Sequence, residues 1–250
     1  MSYHSEHRPK AHRAKIADEK KVLNLPSFKL PIKPLTQEEL AADFRGRVSR
    51  VSRELQAGFD FIKDHSKSVT FFGSARLKEG DNYYKKAVKL AQMLSLEGYS
   101  IITGGGPGIM EAANRGGRST AGGKSLGLTI KLPDEQNVNP YVTDFEEFYY
   151  FFTRKVCLTF AAEAYIYFPG GLGTLDEFFE ILTLVQTKKI EPVPIFCVGV
   201  DFWQPLHQYL GKTLYGKFKT ISRGDTNLYT ITNDEKEIVK QIKKSPVRQV

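Results

Sequence analysis

Cysteine is scarce: Cys157 and Cys197 are the two present in 250 residues. Both stand in apolar surroundings, so the chain is not a disulfide-stapled scaffold, and both read as reduced core thiols. No stretch approaches the roughly 18 consecutive apolar residues of a membrane-spanning helix. The opening residues, MSYHSEHRPKAHRAKIADEKK, lack the apolar segment of a secretory signal. Glu6, Asp18 and Glu19 count against a mitochondrial presequence, so the expected location is cytoplasmic. Histidine is sparse as well. His4, His7, His12, His65 and His207 show no ligand spacing, no H-E-x-x-H occurs, and no metal is expected. There is no internal repeat and no low-complexity tract.

What is plentiful is positive charge, +8 in all. It is concentrated at the ends: residues 1–34 carry +5 and residues 236–250 carry +4, which leaves the body at −1. A nucleic-acid binder carries its positive charge on the folded face. The nearly neutral body therefore argues against nucleic acid as a partner, and the basic tails read as solvated.

Residues 1–35 are polar, basic and dotted with Pro9, Pro26, Pro31 and Pro34, and read as an arm. The rest, 36–245, reads as one domain. Thr36 and Glu39 form a capping-box pattern, and Leu40, Phe44, Val48, Val51 and Leu55 recur at helical spacing, which predicts a helix over 36–63. Strands are expected at 68–75 (SVTFFGSA), in GYSIIT before Gly104, at 125–130 (SLGLTI), at 145–151 (FEEFYYF), in AYIYFPGG and at 192–199 (PVPIFCVG). Helices are expected at 81–97, after Gly108, at 153–163, 174–188, 201–214 and 233–244. Strands alternate with helices, and several strands are apolar on both faces. This predicts an α/β fold: a Rossmann-like, doubly wound parallel sheet with helices on both faces.

In such sheets ligands sit beyond the carboxyl ends of the strands, where strand order reverses. Three glycine turns follow three strands here, at Gly73-Ser74, at Gly104–Gly108 and at Gly170–Gly173. Bare backbone amides at such turns can approach an anion, and the helix behind adds partial positive charge. The alternative, that the glycines only let strand and helix pack closely, suits one turn better than three along one edge. TGGGPG (103–108) does not fit G-x-G-x-x-G, no Lys-Ser/Thr follows Gly108, and Lys124 and Lys131 stand where a nicotinamide site wants an acid. Neither NAD nor any other cofactor is expected. Asp176 and Glu177 open the helix behind the third turn. Acids are favoured at a helix start on electrostatic grounds alone. Adjacent helical residues point about 100° apart, however, so one of the pair can face the crevice.

These strings carry a resemblance. PGGLGTLDE (169–177) matches the PGGxGTxxE motif of the LOG family, the cytokinin riboside 5'-monophosphate phosphoribohydrolases, whose members are often labelled lysine decarboxylases. GGGPGIMEAANRGG (104–117) resembles the family's first glycine-rich motif in its longer bacterial-type members. TRK (153–155) is similar to an Arg-Lys pair upstream on a helix. The likeness covers about residues 68–200 and leaves the arm, the helix at 36–63 and the C-terminal tail outside it.

The resemblance implies a Rossmann-like fold and a homodimer or higher homo-oligomer. It also implies hydrolysis of the N-glycosidic bond of a purine nucleoside 5'-monophosphate, AMP or an N6-modified relative, to free base and ribose 5-phosphate. By motif, the catalytic pair would be Arg154 and Glu177, and Lys155, Gly171, Gly173, Thr174 and Thr183 would contact the nucleotide. The turns add Gly73, Ser74, Gly104, Gly105, Gly106 and Gly170. Glu135, in a long polar loop, is a candidate lid; Ser74 and Arg76 follow the first strand, and Glu111 is placed to brace the turns. Asp176 stands where many relatives have Glu.

Such hydrolysis passes through an oxocarbenium-like transition state, which a carboxylate near C1' stabilises. An arginine is too weak an acid to donate a proton, so Arg154 suits hydrogen bonding and electrostatics. A different class of function, a non-catalytic nucleotide or molybdenum-cofactor carrier, fits the same turns. An amino-acid decarboxylase would need a Schiff-base lysine, for which Lys155 is available.

Overall fold

Short β-branched and aromatic runs supply the strands. In chain order these are β1 (Ser68–Phe72), β2 (Ser100–Thr103), β3 (Ser125–Ile130), β4 (Asp144–Phe148), β5 (Ala164–Tyr167), β6 (Ile195–Val198) and β7 (Thr230–Thr232). Among the described residues seven α-helices accompany them: α1 (Gln37–Lys63), α2 (Asn82–Leu96), α3 (Ile109–Arg118), α4 (Phe151–Phe160), α5 (Leu172–Gln186), α6 (Val200–Tyr209) and α7 (Glu235–Lys244). This computed structural model describes residues 37–131 and 138–246. The chain divides into two units, Met1–Gly46 and Arg47–Val250, and the second holds the sheet. The expected arm and the Thr36–Glu39 capping box fall outside the described residues and side chains.

All seven strands are parallel, in the order β4-β3-β2-β1-β5-β6-β7. β1 sits between β2 and β5, with Val69 beside Ile101 on one side and Ala164 on the other. Alternation along the strands feeds two cores. Val69, Phe71, Ala164, Ile166 and Phe168 face the core under α2, α3 and α7. Phe72, Tyr165 and Tyr167 face the one under α4, α5 and α6. β1, β2, β5 and β6 are buried throughout, as a sheet covered on both faces requires. The fold is therefore the doubly wound α/β class expected from the sequence.

The boundaries differ in instructive places. The strand expected through Phe151 ends at Phe148, because Glu54 of α1 captures the next two amides. Its carboxylate accepts from the N–H of Tyr149 (3.1 Å) and of Tyr150 (3.3 Å), and from the Thr153 hydroxyl (2.6 Å). Tyr150 is the N-cap of α4, so a side chain from 96 residues upstream starts that helix. α4 also ends early, at Phe160, where Glu163 turns to accept the Ser68 N–H (2.6 Å). The helix expected over 201–214 is α-helical to Tyr209 and then winds wider, as a π-helix over Leu210–Phe218. On α1, Val51 and Leu55 are half-buried, but Phe44 and Val48 are exposed. β7 had no sequence counterpart, since three residues cannot display a period.

Candidate active site

The strand order reverses between β1 and β5, and the three glycine turns meet there. The Ser74 backbone joins them: its N–H donates to the Pro169 carbonyl (3.0 Å), and its carbonyl accepts from Ile109 at the start of α3 (3.0 Å). Gly108 makes that closeness achievable. It has φ 72°, and a Cβ there would lie 2.3 Å from the Ser74 oxygen. Above the joined turns lies a cavity of about 860 Å³.

The two helix starts at this edge differ. The first amide of α3 is already committed to Ser74, and the turn before it is held from behind. Asn139 donates through Nδ2 to the carbonyls of Gly105 (3.1 Å) and Gly106 (3.0 Å) and to Asn114 Oδ1 (2.9 Å). The Gly105 N–H is taken by Thr103 Oγ1 (2.9 Å). Among the described residues the start of α5 has no such engagement. Like Gly108 before α3, its N-cap Gly171 brings no side-chain cap, but Gly171, Leu172 and Gly173 are exposed at the cavity wall. The first amides of a helix have no intrahelical acceptor and carry the positive end of the macrodipole. Of the two starts, that of α5 is the one exposed at the cavity wall.

Arg154 and Glu177 both line the cavity. Arg154 sits in the first turn of α4, and its guanidinium packs over Gly104: a Cβ there would meet Arg154 Nη2 at 2.9 Å. Arg154 Nε is buried without a hydrogen-bond partner among the described residues. Burial lowers the guanidinium's pKa, and Glu177 opposes that shift. Glu177, in the second turn of α5, is 9% exposed. Burial pushes its carboxyl up to about 7; Arg154 and Lys155 pull it back, while Glu180 and Asp176 push it further up. The site thus places a carboxyl poised near neutrality beside a permanent cation, one turn from the exposed start of α5.

The structure places the other expected residues as follows. Gly73, Ser74, Arg76, Gly104, Gly170, Gly171, Gly173, Thr174 and Asp176 line the same cavity. Gly105 and Gly106 do not, because they are buried against Asn139. Thr183 is exposed farther along α5, and its carbonyl takes the Thr187 hydroxyl (2.7 Å). Lys155 does not itself line the cavity; its Nζ pairs with Asp176, at the cavity edge, and with Glu180. Glu111 braces from behind, accepting from the Tyr84 hydroxyl (2.8 Å). Glu135 lies outside the described residues.

Sequence reasoning missed Met110, Phe151 and Leu172, which form part of the apolar wall of the cavity. Leu172 carried a signal: an apolar residue inside a glycine turn, 87% exposed here. Asn139 and Glu54, which hold the turn and α4, carried none.

The doubly wound sheet and its converging turns place the chain in the Rossmann-like class of α/β proteins. Solved structures agree. A molybdenum cofactor carrier protein from Chlamydomonas reinhardtii superposes with TM-score 0.54 at 19% identity, over 72% of this chain and 98% of that one. A molybdenum cofactor binding protein from Rippkaea orientalis gives 0.50 at 24%, over 70% and 93%. At such identities these likenesses establish the fold.

The family model described as "possible lysine decarboxylase" matches residues 110–242, more than half of the chain, and the chain belongs to that family, the LOG family. It is similar to cytokinin riboside 5'-monophosphate phosphoribohydrolases. The one from Arabidopsis thaliana is 28% identical, over 69% of this chain and 79% of the relative. The one from Oryza sativa subsp. japonica is 32% identical, over 56% and 58%. A pyrimidine/purine nucleotide 5'-monophosphate nucleosidase of Escherichia coli (strain K12) is 26% identical, over 66% and 38%. The chain thus spans less than two thirds of the length of the last two.

Proposed function

We propose that this protein hydrolyses the N-glycosidic bond of a purine nucleoside 5'-monophosphate, AMP or an N6-modified relative, to free base and ribose 5-phosphate. The observation that carries the reading is the buried Glu177, held near a pKa of 7, one turn behind an uncapped helix start that fits a phosphate. Relatives named for this chemistry on nucleoside monophosphates support it.

The phosphate rests on the first amides of α5. The C1'–N bond breaks with its electron pair leaving on the base. Glu177, as carboxylate, stabilises the oxocarbenium-like centre and takes a proton from the water that adds to C1'. Arg154 keeps its proton and hydrogen-bonds the departing base or the phosphate. The base takes up a proton from solvent, and Glu177 gives back to solvent the proton it took from water, so the sum is the addition of one water.

The carrier alternative leaves a buried carboxyl beside the pentose without a task. The decarboxylase alternative needs a lysine that readily loses its proton. Burial lowers the pKa of Lys155, but Asp176 and Glu180 more than offset that and raise it. A cytoplasmic homodimer or higher homo-oligomer completes the proposal. Among the described residues no helix is long and apolar enough to cross a membrane, and the aromatic Tyr149, Phe151 and Phe152 stand exposed.

The test is to incubate the protein with AMP, N6-substituted AMP and monophosphates of the other bases. Free base and ribose 5-phosphate should appear in equal amounts, most from the adenine members. No release from any monophosphate removes the proposal.

A further inference from the structure

The Arg-Lys pair of α4 splits its two cations between two environments. Arg154 enters the cavity. Lys155, about 100° further round the helix, reaches α5 instead. Its Nζ donates to Asp176 Oδ2 (2.8 Å) and lies 3.1 Å from Glu180 Oε2, a close ion pair without hydrogen-bond alignment. The Lys155 side chain is 19% exposed and that of Glu180 28%. Asp176 and Glu180 are four residues apart, hence stacked on one face of α5, where like charges repel unless a cation lies between them. Glu177 lies between them in sequence and faces the cavity. Three carboxylates thus crowd two turns of the helix whose start the proposed function gives to the phosphate.

We propose that Lys155 is a positioning residue and not a nucleotide ligand: by bridging Asp176 and Glu180 it fixes α4 against α5, holds Glu177 opposite Arg154, and neutralises the acids flanking the start of α5. This rests on the hydrolase reading for its catalytic consequence, but not for its electrostatic one. The charges that act on Glu177 come from two elements. Arg154 and Lys155 face it from α4, and Asp176 and Glu180 belong to its own helix. Tyr167 of β5 donates its hydroxyl to the Glu177 carbonyl (3.2 Å). Arg76, after β1, lines the same cavity. Removing Lys155 deletes one attraction and frees two repulsions. Both changes favour the protonated form of Glu177.

The experiment compares wild type with Lys155→Met and Lys155→Arg. The Glu177 carboxyl is followed by carbon-13 NMR across pH without substrate, alongside the pH profile of AMP hydrolysis. In Lys155→Met the Glu177 titration and the acid limb of kcat/KM should both move up by about one pH unit or more. That is a loss of about tenfold below neutral pH, largely recovered at pH 9. Lys155→Arg should restore both, since guanidinium can bridge the same two acids. If Lys155→Met does not fold, Asp176→Asn/Glu180→Gln with Lys155 intact should move the limb down. The proposal is overturned by a Lys155→Met protein whose Glu177 titrates as in wild type while KM rises tenfold, which makes Lys155 a substrate contact. It is equally overturned if only thermal stability changes, or if the double variant lowers KM without moving the limb. Should wild type hydrolyse no monophosphate, the hydrolase reading fails, and the NMR titration still decides the role of Lys155.

Discussion

Glu177 is the residue on which the chemistry turns, and its burial fixes two outcomes of opposite sign. As catalyst it must be ionised. With its carboxyl pushed up to about 7, kcat/KM should fall tenfold per pH unit below that value and level off above it. As a structural residue it is costly when ionised. Its folded pKa lies above the roughly 4.3 of an unfolded glutamate, so its stabilising effect is present below the unfolded value and is lost as pH rises through about 7. Glu177→Gln should therefore lower turnover by about 10²–10³-fold and leave nucleotide binding within a few-fold. It should also raise Tm at pH 8, where stability rises by up to about 4 kcal/mol, and have little effect on Tm at pH 4.5. Thermal melts of the two proteins across pH check this. Gly104 gives a second outcome at this scale. A methyl group there meets Arg154 Nη2 and Met110 Sδ, each at 2.9 Å, so Gly104→Ala should displace the guanidinium and cut kcat about tenfold or more with the fold intact. Steady-state kinetics and circular dichroism separate the two effects.

At the scale of elements, α4 owes its position to a neighbour. Glu54 of α1 satisfies two backbone amides and a hydroxyl at the α4 start, and Arg154 follows one residue after Thr153. Glu54→Ala should cost about 2 kcal/mol, in the range for a lost cap with charged hydrogen bonds, read as a lower denaturant midpoint. It should also depress kcat, because the helix carrying Arg154 loses its anchor. The strand expected through Phe151 failed for this reason. FEEFYYF is a β-rich string, and nothing within it announces a carboxylate waiting on a distant helix. The wider winding of Leu210–Phe218 was invisible for a similar reason: its residues satisfy the 3.6-residue period as well as any other. In contrast α2 was legible, since Tyr84, Ala87, Leu90, Ala91 and Leu94 form one buried face. Here local periodicity and tertiary burial agree.

Across the whole sheet-bearing unit, the alternation of strands and helices was enough to name a doubly wound fold. The glycine turns were enough to locate its carboxyl edge. What the turns could not reveal was which of their glycines reach the cavity. Gly105 and Gly106 look like phosphate binders in the string TGGGPG, yet Asn139 claims their carbonyls from behind, a contact that only the fold creates. Lys155 beside Arg154 reads as a second nucleotide contact. The twist of α4 gives it to Asp176 and Glu180 instead. Turns set by backbone type were readable, and side-chain pairings set by which helix lies opposite were not.

The most direct measurement of the central claim is a crystal structure of the Glu177→Gln protein soaked with AMP. The account requires the phosphate to rest on the amides at residues 171–174, with the substituted carboxamide at position 177 within hydrogen-bond distance of a ribose hydroxyl. A phosphate seated instead at the 104–108 turn, or a carboxamide with no contact to the sugar at full occupancy, would contradict it.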